Sequence, residues 1–213
     1  MGTAPRGVRQ DGRVLGVLRG AFGRALSPVA RLLLRLGLSP SAVTILGTLG
    51  VVGSALALFP GGHWVMGTVL VGVFLLCDGL DGTMARESGR QSRFGAFLDS
   101  TMDRLADGAV FVAIAWGCAI SGDRVGAGLA AAVLVLGFVV SYARARADVE
   151  GWDASAGVVE RTDRLVVSLA GVLAFGLGMP VWVLWVSLGV VALGSAVTVL
   201  QRVSAAHRAS AME

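Results

Sequence analysis

The chain has 213 residues, 55% of them hydrophobic and 15% charged, with a mean hydropathy of +0.76. Such a composition excludes an ordinary water-soluble domain and points to a multispan membrane protein. Net charge is +4 and all 18 basic residues are Arg, which in a membrane protein reports orientation and anionic head groups rather than nucleic acid.

The apolar runs are long and do not alternate, so the predicted fold class is all-α integral membrane rather than barrel. Residues 1–13 carry Arg6, Arg9 and Arg13 among Gly and Pro and read as a disordered basic tail. Residues 14–38 read as an N-terminal amphipathic interfacial helix, broken near Pro28, with Leu, Val and Phe toward lipid and Arg toward head groups. Arg19, Arg24, Arg31 and Arg35 interrupt its apolar run, so it lacks a cleavable signal pattern. Residues 39–203 form the membrane domain. Six transmembrane helices are expected at about 41–59, 63–86, 94–121, 125–147, 161–178 and 181–201, each near the roughly 20 residues a bilayer requires. Residues 204–213 read as a polar C-terminal tail. Cys77 and Cys118 both sit in apolar runs and read as buried free thiols.

Orientation follows from Arg. With six spans, one face collects the N-terminus, the loops near 87–93 and 148–160, and the C-terminus. Nearly all the Arg residues fall there, whereas the opposite face holds Arg124. Both termini are therefore expected on the cytoplasmic side of the cell membrane.

The segment from Asp78 to Asp103, DGLDGTMARESGRQSRFGAFLDSTMD, breaks the apolar pattern. One Asp at the centre of a membrane helix costs about 2.5–3.5 kcal/mol on insertion scales. Four of them, Asp78, Asp81, Asp99 and Asp103, call for a shared divalent cation. Asp78 and Asp81 are spaced to share one helix face, and so are Asp99 and Asp103. Gly82 and Ala85 leave the first face without bulk, so that a base or a diphosphate can approach. Arg86 adds a planar donor suited to phosphate. Two helices presenting paired carboxylates make an all-oxygen site, and two ions there would clamp a diphosphate. Asp103 is the candidate to take the proton from an attacking hydroxyl. The competing reading is a structural Asp–Arg network with Arg86 and Arg104.

Asp78-x2-Asp81-Gly82-x2-Ala85-Arg86, eight residues, then Gly95-x3-Asp99-x3-Asp103 resembles the signature of the CDP-alcohol phosphatidyltransferase family at every fixed position. That resemblance implies a six-helix membrane fold, usually dimeric, with a cytoplasm-facing cavity. It implies Mg2+ or Mn2+, CDP-diacylglycerol as donor and CMP as leaving group. Asp78, Asp81, Asp99 and Asp103 become metal ligands, Asp103 also the general base, and Gly82, Ala85 and Arg86 line the nucleotide and diphosphate site.

The acceptor is sought at the other cytoplasmic helix ends. Ser141, Arg144 and Arg146 close the fourth span, Arg161 and Arg164 open the fifth, and Arg202 ends the sixth. Converging Arg residues suit an acceptor that carries a phosphate, although the positive-inside rule alone also places Arg there. PSAVTILGT, RFGAFLDSTMDRLADGAVF, SYARARAD and VERTDRL resemble the bacterial phosphatidylinositol-phosphate synthase branch of the family. That likeness implies an inositol phosphate pocket formed by Ser141, Arg144, Arg146, Arg164 and Arg202. Arg144 stands where that branch usually has Lys, and Ser41 where many members have Asn. The expected reaction is phosphatidyl transfer from CDP-diacylglycerol to 1D-myo-inositol 3-phosphate by a homodimer. Glycerol 3-phosphate is the alternative acceptor. An ion-coupled transporter is disfavoured, because the sequence shows no repeated halves and the carboxylates sit at helix ends.

Overall fold

The computed structural model describes residues 27–89 and 92–211, the side chains of Cys77 and Asp78 excepted. The expected tail at 1–13 and the interfacial helix up to residue 26 lie outside the described residues. Among the described residues seven helical segments follow in order: α1 (27–35), α2 (Pro40–Leu58), α3 (Trp64–Ser88), α4 (Arg93–Ile120), α5 (Arg124–Glu150), α6 (Arg161–Gly176) and α7 (Trp182–Ser210). No strand occurs among the described residues.

Local signals set these boundaries. Ser39 caps α2 by accepting the Ala42 N–H at 3.2 Å, and Pro40 takes the first helical position, where its missing N–H costs nothing. Ser92 caps α4 from the Gly95 N–H at 2.9 Å. Glu160 and Asp163 form a reciprocal capping box at the start of α6. Gly89 and Gly151 end α3 and α5 with φ of 64° and 77°, a left-handed stop that glycine adopts without a side-chain clash. α5 runs three residues beyond the expected span, to Glu150, and α7 continues through most of the expected polar tail, to Ser210. Composition marked where apolar sequence ends, but a helix satisfies its own backbone in water as well and need not stop there.

α2 to α7 close into a ring in the packing order α3, α2, α4, α5, α7, α6 and back to α3. The core of this ring includes Val51, Val110, Ile114, Val133, Val172 and Leu188, all almost fully buried. Without a hydrophobic effect between helices in lipid, small residues set how closely they approach. A Cβ on Gly117 would lie 2.6 Å from the Phe59 carbonyl oxygen and 2.6 Å from the Trp64 ring.

Four of the described helices, α2, α3, α5 and α7, are long and apolar enough to cross a membrane. α4 and α6 depart from the expected pattern for different reasons. α4 places Arg93, Asp99, Asp103 and Arg104 in its first half, and Asp107 follows directly. α6 has 16 residues, about 24 Å at 1.5 Å per residue, against a hydrocarbon core of about 30 Å.

The two ends of the ring differ in chemistry. At one end Phe59 stacks on Trp64 and Trp64 meets Phe175 edge-on. There Trp185 donates to the Asp123 carboxylate at 2.9 Å. At the other end lie Thr44, Asp81, Asp103, Arg161 and Arg202. α1 covers part of that end: Ala30 is buried with Val43, Leu80 and Met84, and Leu33, Leu34 and Leu38 pack around them. Its outer side leaves Val29, Leu32 and Leu36 exposed, and Ser27 donates to Glu87 of α3.

Candidate active site

The carboxylates reach this end from two helices. On α3, Asp81 is 6% exposed and accepts a short hydrogen bond from the Thr44 hydroxyl, which is itself 5% exposed. A buried charge must be hydrogen-bonded to persist, and this bond also fixes the direction of the carboxylate. One turn on, Arg86 lies along the helix surface. Its Nη2 donates to the Thr83 hydroxyl at 3.0 Å. Its Nη1 would sit 3.7 Å from a Cβ placed on Gly82, which would otherwise meet nothing. Gly82 thus leaves open space beside Arg86 among the described residues. On the facing helix, a Cβ on Gly95 would lie 3.1 Å from the Ser92 hydroxyl that caps α4.

On α4, Asp99 and Asp103 are both partly exposed. Asp103 is held by Arg161 of α6, whose Nη1 lies 2.9 Å from its Oδ1. Arg161 continues to Asp107, its Nε donating to Oδ1 at 3.0 Å. The second oxygen of Asp107 lies 3.8 Å from Nη2 of Arg164. The result is a chain of alternating charge, Asp103–Arg161–Asp107–Arg164, linking α4 to α6. The Asp-and-Arg network that competed with the metal reading is therefore present, but its Arg partner is Arg161, with Arg104 3.7 Å from Asp103. Among the described side chains, which exclude Asp78, no three acidic, imidazole or thiol groups stand together as a ready-made cation site. The donor set remains all-oxygen and two-helix, which suits a hard divalent cation, and the Thr44 bond would serve as outer support if Asp81 held one.

The expected acceptor residues separate into two groups. Arg164 is 2% exposed, and its Nη1 makes no hydrogen bond with the described residues. It lines a cleft between α4 and α5 with Arg104, Asp107, Phe111, Gly137 and Phe138. Gly137 makes room for it, because a Cβ there would lie 3.2 Å from Nε of Arg164. Arg202 is 5% exposed and ties backbone together: Nη1 donates to the Val140 carbonyl at 2.6 Å and Nε to the Ala156 carbonyl at 3.1 Å. The same loop is strapped to α7 by the Thr198 hydroxyl, which accepts the N–H groups of Val158 and Val159. Within that loop the Asp153 carboxyl is held below its ordinary range, first by the Ser155 hydroxyl and then by the Ser155 N–H. The α5 residues lie further out. Arg144 is exposed, Arg146 pairs with Glu150, and Ser141 donates back to the Gly137 carbonyl at 3.0 Å.

Asp107 and Gly137 were absent from the expected site, and Arg161 was read toward an acceptor phosphate rather than toward Asp103 and Asp107. Asp107 continues the spacing of Asp99 and Asp103 by a further four residues, so a longer look along that stripe would have found it. The Arg161 and Gly137 contacts cross between helices and have no local signal.

A bundle of apolar helices that gathers carboxylates and buried guanidinium groups at one end is equipped to handle a diphosphate at a membrane surface. The model of the CDP-alcohol phosphatidyltransferase family matches residues 38–193, and the chain belongs to that family. It is a membrane-embedded phosphatidyltransferase. It is 45% identical over 200 residues to the phosphatidylinositol phosphate synthase of Streptomyces avermitilis, covering 91% of this chain and 82% of that one. The phosphatidylinositol phosphate synthase of Mycolicibacterium smegmatis is also 45% identical, over 191 residues, with 88% and 86% covered. Among solved structures, the chain resembles the Mycobacterium tuberculosis phosphatidylinositol phosphate synthase with CDP-DAG bound, at 41% identity and a TM-score of 0.82, covering 86% and 94%. The same enzyme in complex with manganese and citrate gives 41% identity and a TM-score of 0.81, covering 85% and 88%.

Proposed function

We propose that this protein transfers the phosphatidyl group of CDP-diacylglycerol to 1D-myo-inositol 3-phosphate, forming phosphatidylinositol phosphate and releasing CMP. The observation that carries the reading is Arg164: a buried guanidinium whose Nη1 has no hydrogen-bond partner among the described residues, three ion pairs along from the carboxylate of Asp103. A buried donor without an acceptor is costly, and a phosphate on the acceptor would satisfy it. Free inositol offers only neutral hydroxyl acceptors, which make the weaker bond.

In this reading Asp78, Asp81, Asp99 and Asp103 hold the divalent metal, Mg2+ or Mn2+ and two ions in number. The metal's contribution is to neutralise the diphosphate and the departing CMP. The protein's own groups do the rest. Gly82 and Ala85 let the cytidine and diphosphate lie against α3, with Arg86 beside them. Arg164 binds the acceptor phosphate from below, with the remaining Nη2 of Arg202, and Ser141, Arg144 and Arg146 complete the rim. The acceptor hydroxyl gives its proton to the Asp103 carboxylate and attacks the phosphorus that bears diacylglycerol. The bond from that phosphorus to the CMP oxygen breaks. Removal of the proton as the new bond forms is the general-base contribution, typically 10²–10⁴-fold.

We place all six ring helices across the cytoplasmic membrane, with α4 and α6 protected by their neighbours. Both termini and the site face the cytoplasm, and α1 lies in the interface with Val29, Leu32 and Leu36 toward lipid. The working unit is a homodimer. Arg164→Ala tests the central assignment: the KM for inositol phosphate should rise at least tenfold, about 1.4 kcal/mol, while the KM for CDP-diacylglycerol stays put. A shift in the donor KM alone would refute it.

A further inference from the structure

Asp103 has two demands placed on it in the proposed reaction, cation binding and proton acceptance, and neither explains why a guanidinium touches it. Arg161 is the first residue of α6, and the reciprocal Glu160 and Asp163 cap fixes the turn from which it projects, with the Glu160 N–H 2.9 Å from Asp163 Oδ2. Its guanidinium spans two carboxylates of α4 at once, Nη1 to Asp103 at 2.9 Å and Nε to Asp107 at 3.0 Å. Asp107 is 7% exposed and reaches Arg164 with its other oxygen. A planar fork held at both ends by buried or half-buried acids has little rotational freedom.

We propose that Arg161 is a positioning residue: it fixes the Asp103 carboxylate and registers it, through Asp107, against Arg164. This inference rests on the phosphatidyl-transfer reading. It has a consequence that a merely structural ion pair lacks. A cation at 2.9 Å lowers the negative potential at Asp103 and so opposes a second cation there. Arg161 therefore trades some metal affinity for orientation, and its removal drives metal binding and turnover in opposite directions.

The test uses the full chain in detergent, with Mn2+ binding followed by the electron paramagnetic resonance of free Mn2+, alongside steady-state CMP release. Arg161→Gln should bind Mn2+ at least about threefold more tightly, because a repelling charge is gone. Its kcat should fall at least about tenfold, because the carboxylate is no longer held, with an unchanged KM for CDP-diacylglycerol. Arg161→Lys keeps the charge but not the fork, so Mn2+ affinity should stay at the wild-type value while kcat still falls. Unchanged or weaker Mn2+ binding by Arg161→Gln overturns the proposal. If Arg161→Gln does not fold, Arg161→Lys decides, and wild-type kcat in that variant overturns it. Wild-type protein that releases no CMP overturns the underlying reading instead, a failure visible before any variant is made.

Discussion

Gly82→Ala separates what the protein needs from what its ligand needs. In most helices a glycine costs stability, about 0.8–1.0 kcal/mol relative to alanine. At Gly82 the added methyl would meet only Nη1 of Arg86, at 3.7 Å, an ordinary contact. The variant should therefore fold at least as well as the wild type, gaining up to about 1 kcal/mol, or some 2–4 °C in Tm for a chain of this length. The space it fills is where the diphosphate or cytidine is placed in the proposed complex. One methylene too many in a fitted site costs about 1–3 kcal/mol, so kcat/KM for CDP-diacylglycerol should drop by about 5- to 140-fold. Gly117→Ala is the control: its methyl would collide with the Phe59 carbonyl and the Trp64 ring at 2.6 Å, so it should lose folding instead. The assay is CMP release against donor concentration, with Tm measured on the same preparation. A Gly82→Ala enzyme with wild-type kcat/KM would show that nothing binds against that face of α3.

Two further outcomes follow from the carboxylates. Asp78→Asn or Asp99→Asn should abolish turnover with the fold retained, each removing a formal charge from the cation site; excess EDTA should silence the wild type and Mg2+ or Mn2+ restore it, and undiminished turnover in EDTA would sink the mechanism. Thr44→Val keeps shape but removes the hydrogen bond to the buried Asp81, worth about 1.5–3 kcal/mol to a charged acceptor; Mn2+ affinity should weaken about tenfold, the usual effect of losing an outer-shell partner, and a titration showing no change would detach Thr44 from the metal site.

How much was readable beforehand depends on the range of the physics. Helix positions were legible because each apolar run makes its own helix: the break at 89–92 falls inside the loop expected near 87–93, while the break after α5 starts at 151 rather than at the expected 148. The Asp spacing was legible because i, i+3 and i, i+4 neighbours share a face whatever surrounds them. Pairing across helices was not. Asp103 and Arg161 are separated by most of α4, all of α5 and the two connections that flank α5, and only the closed ring brings them to 2.9 Å. Arg202 shows the same limit from the other side. Its charge suggested a phosphate ligand, yet two of its three nitrogens hold the carbonyls of Val140 and Ala156, which no charge pattern encodes. Arg164 is buried as well, and its Nη1 has no hydrogen-bond partner among the described residues.

Acceptor choice tests the central claim most directly. Purified protein with CDP-diacylglycerol and Mg2+ is offered 1D-myo-inositol 3-phosphate, free inositol or glycerol 3-phosphate, and CMP release and lipid product are measured for each. Two charge-assisted hydrogen bonds to the acceptor phosphate, at about 1.5–3 kcal/mol each, predict a preference for inositol phosphate over inositol of a hundredfold or more at about 1.4 kcal/mol per factor of ten. Equal rates with inositol and inositol phosphate would contradict the buried-arginine pocket. Selective use of glycerol 3-phosphate would keep the pocket but contradict the proposed product.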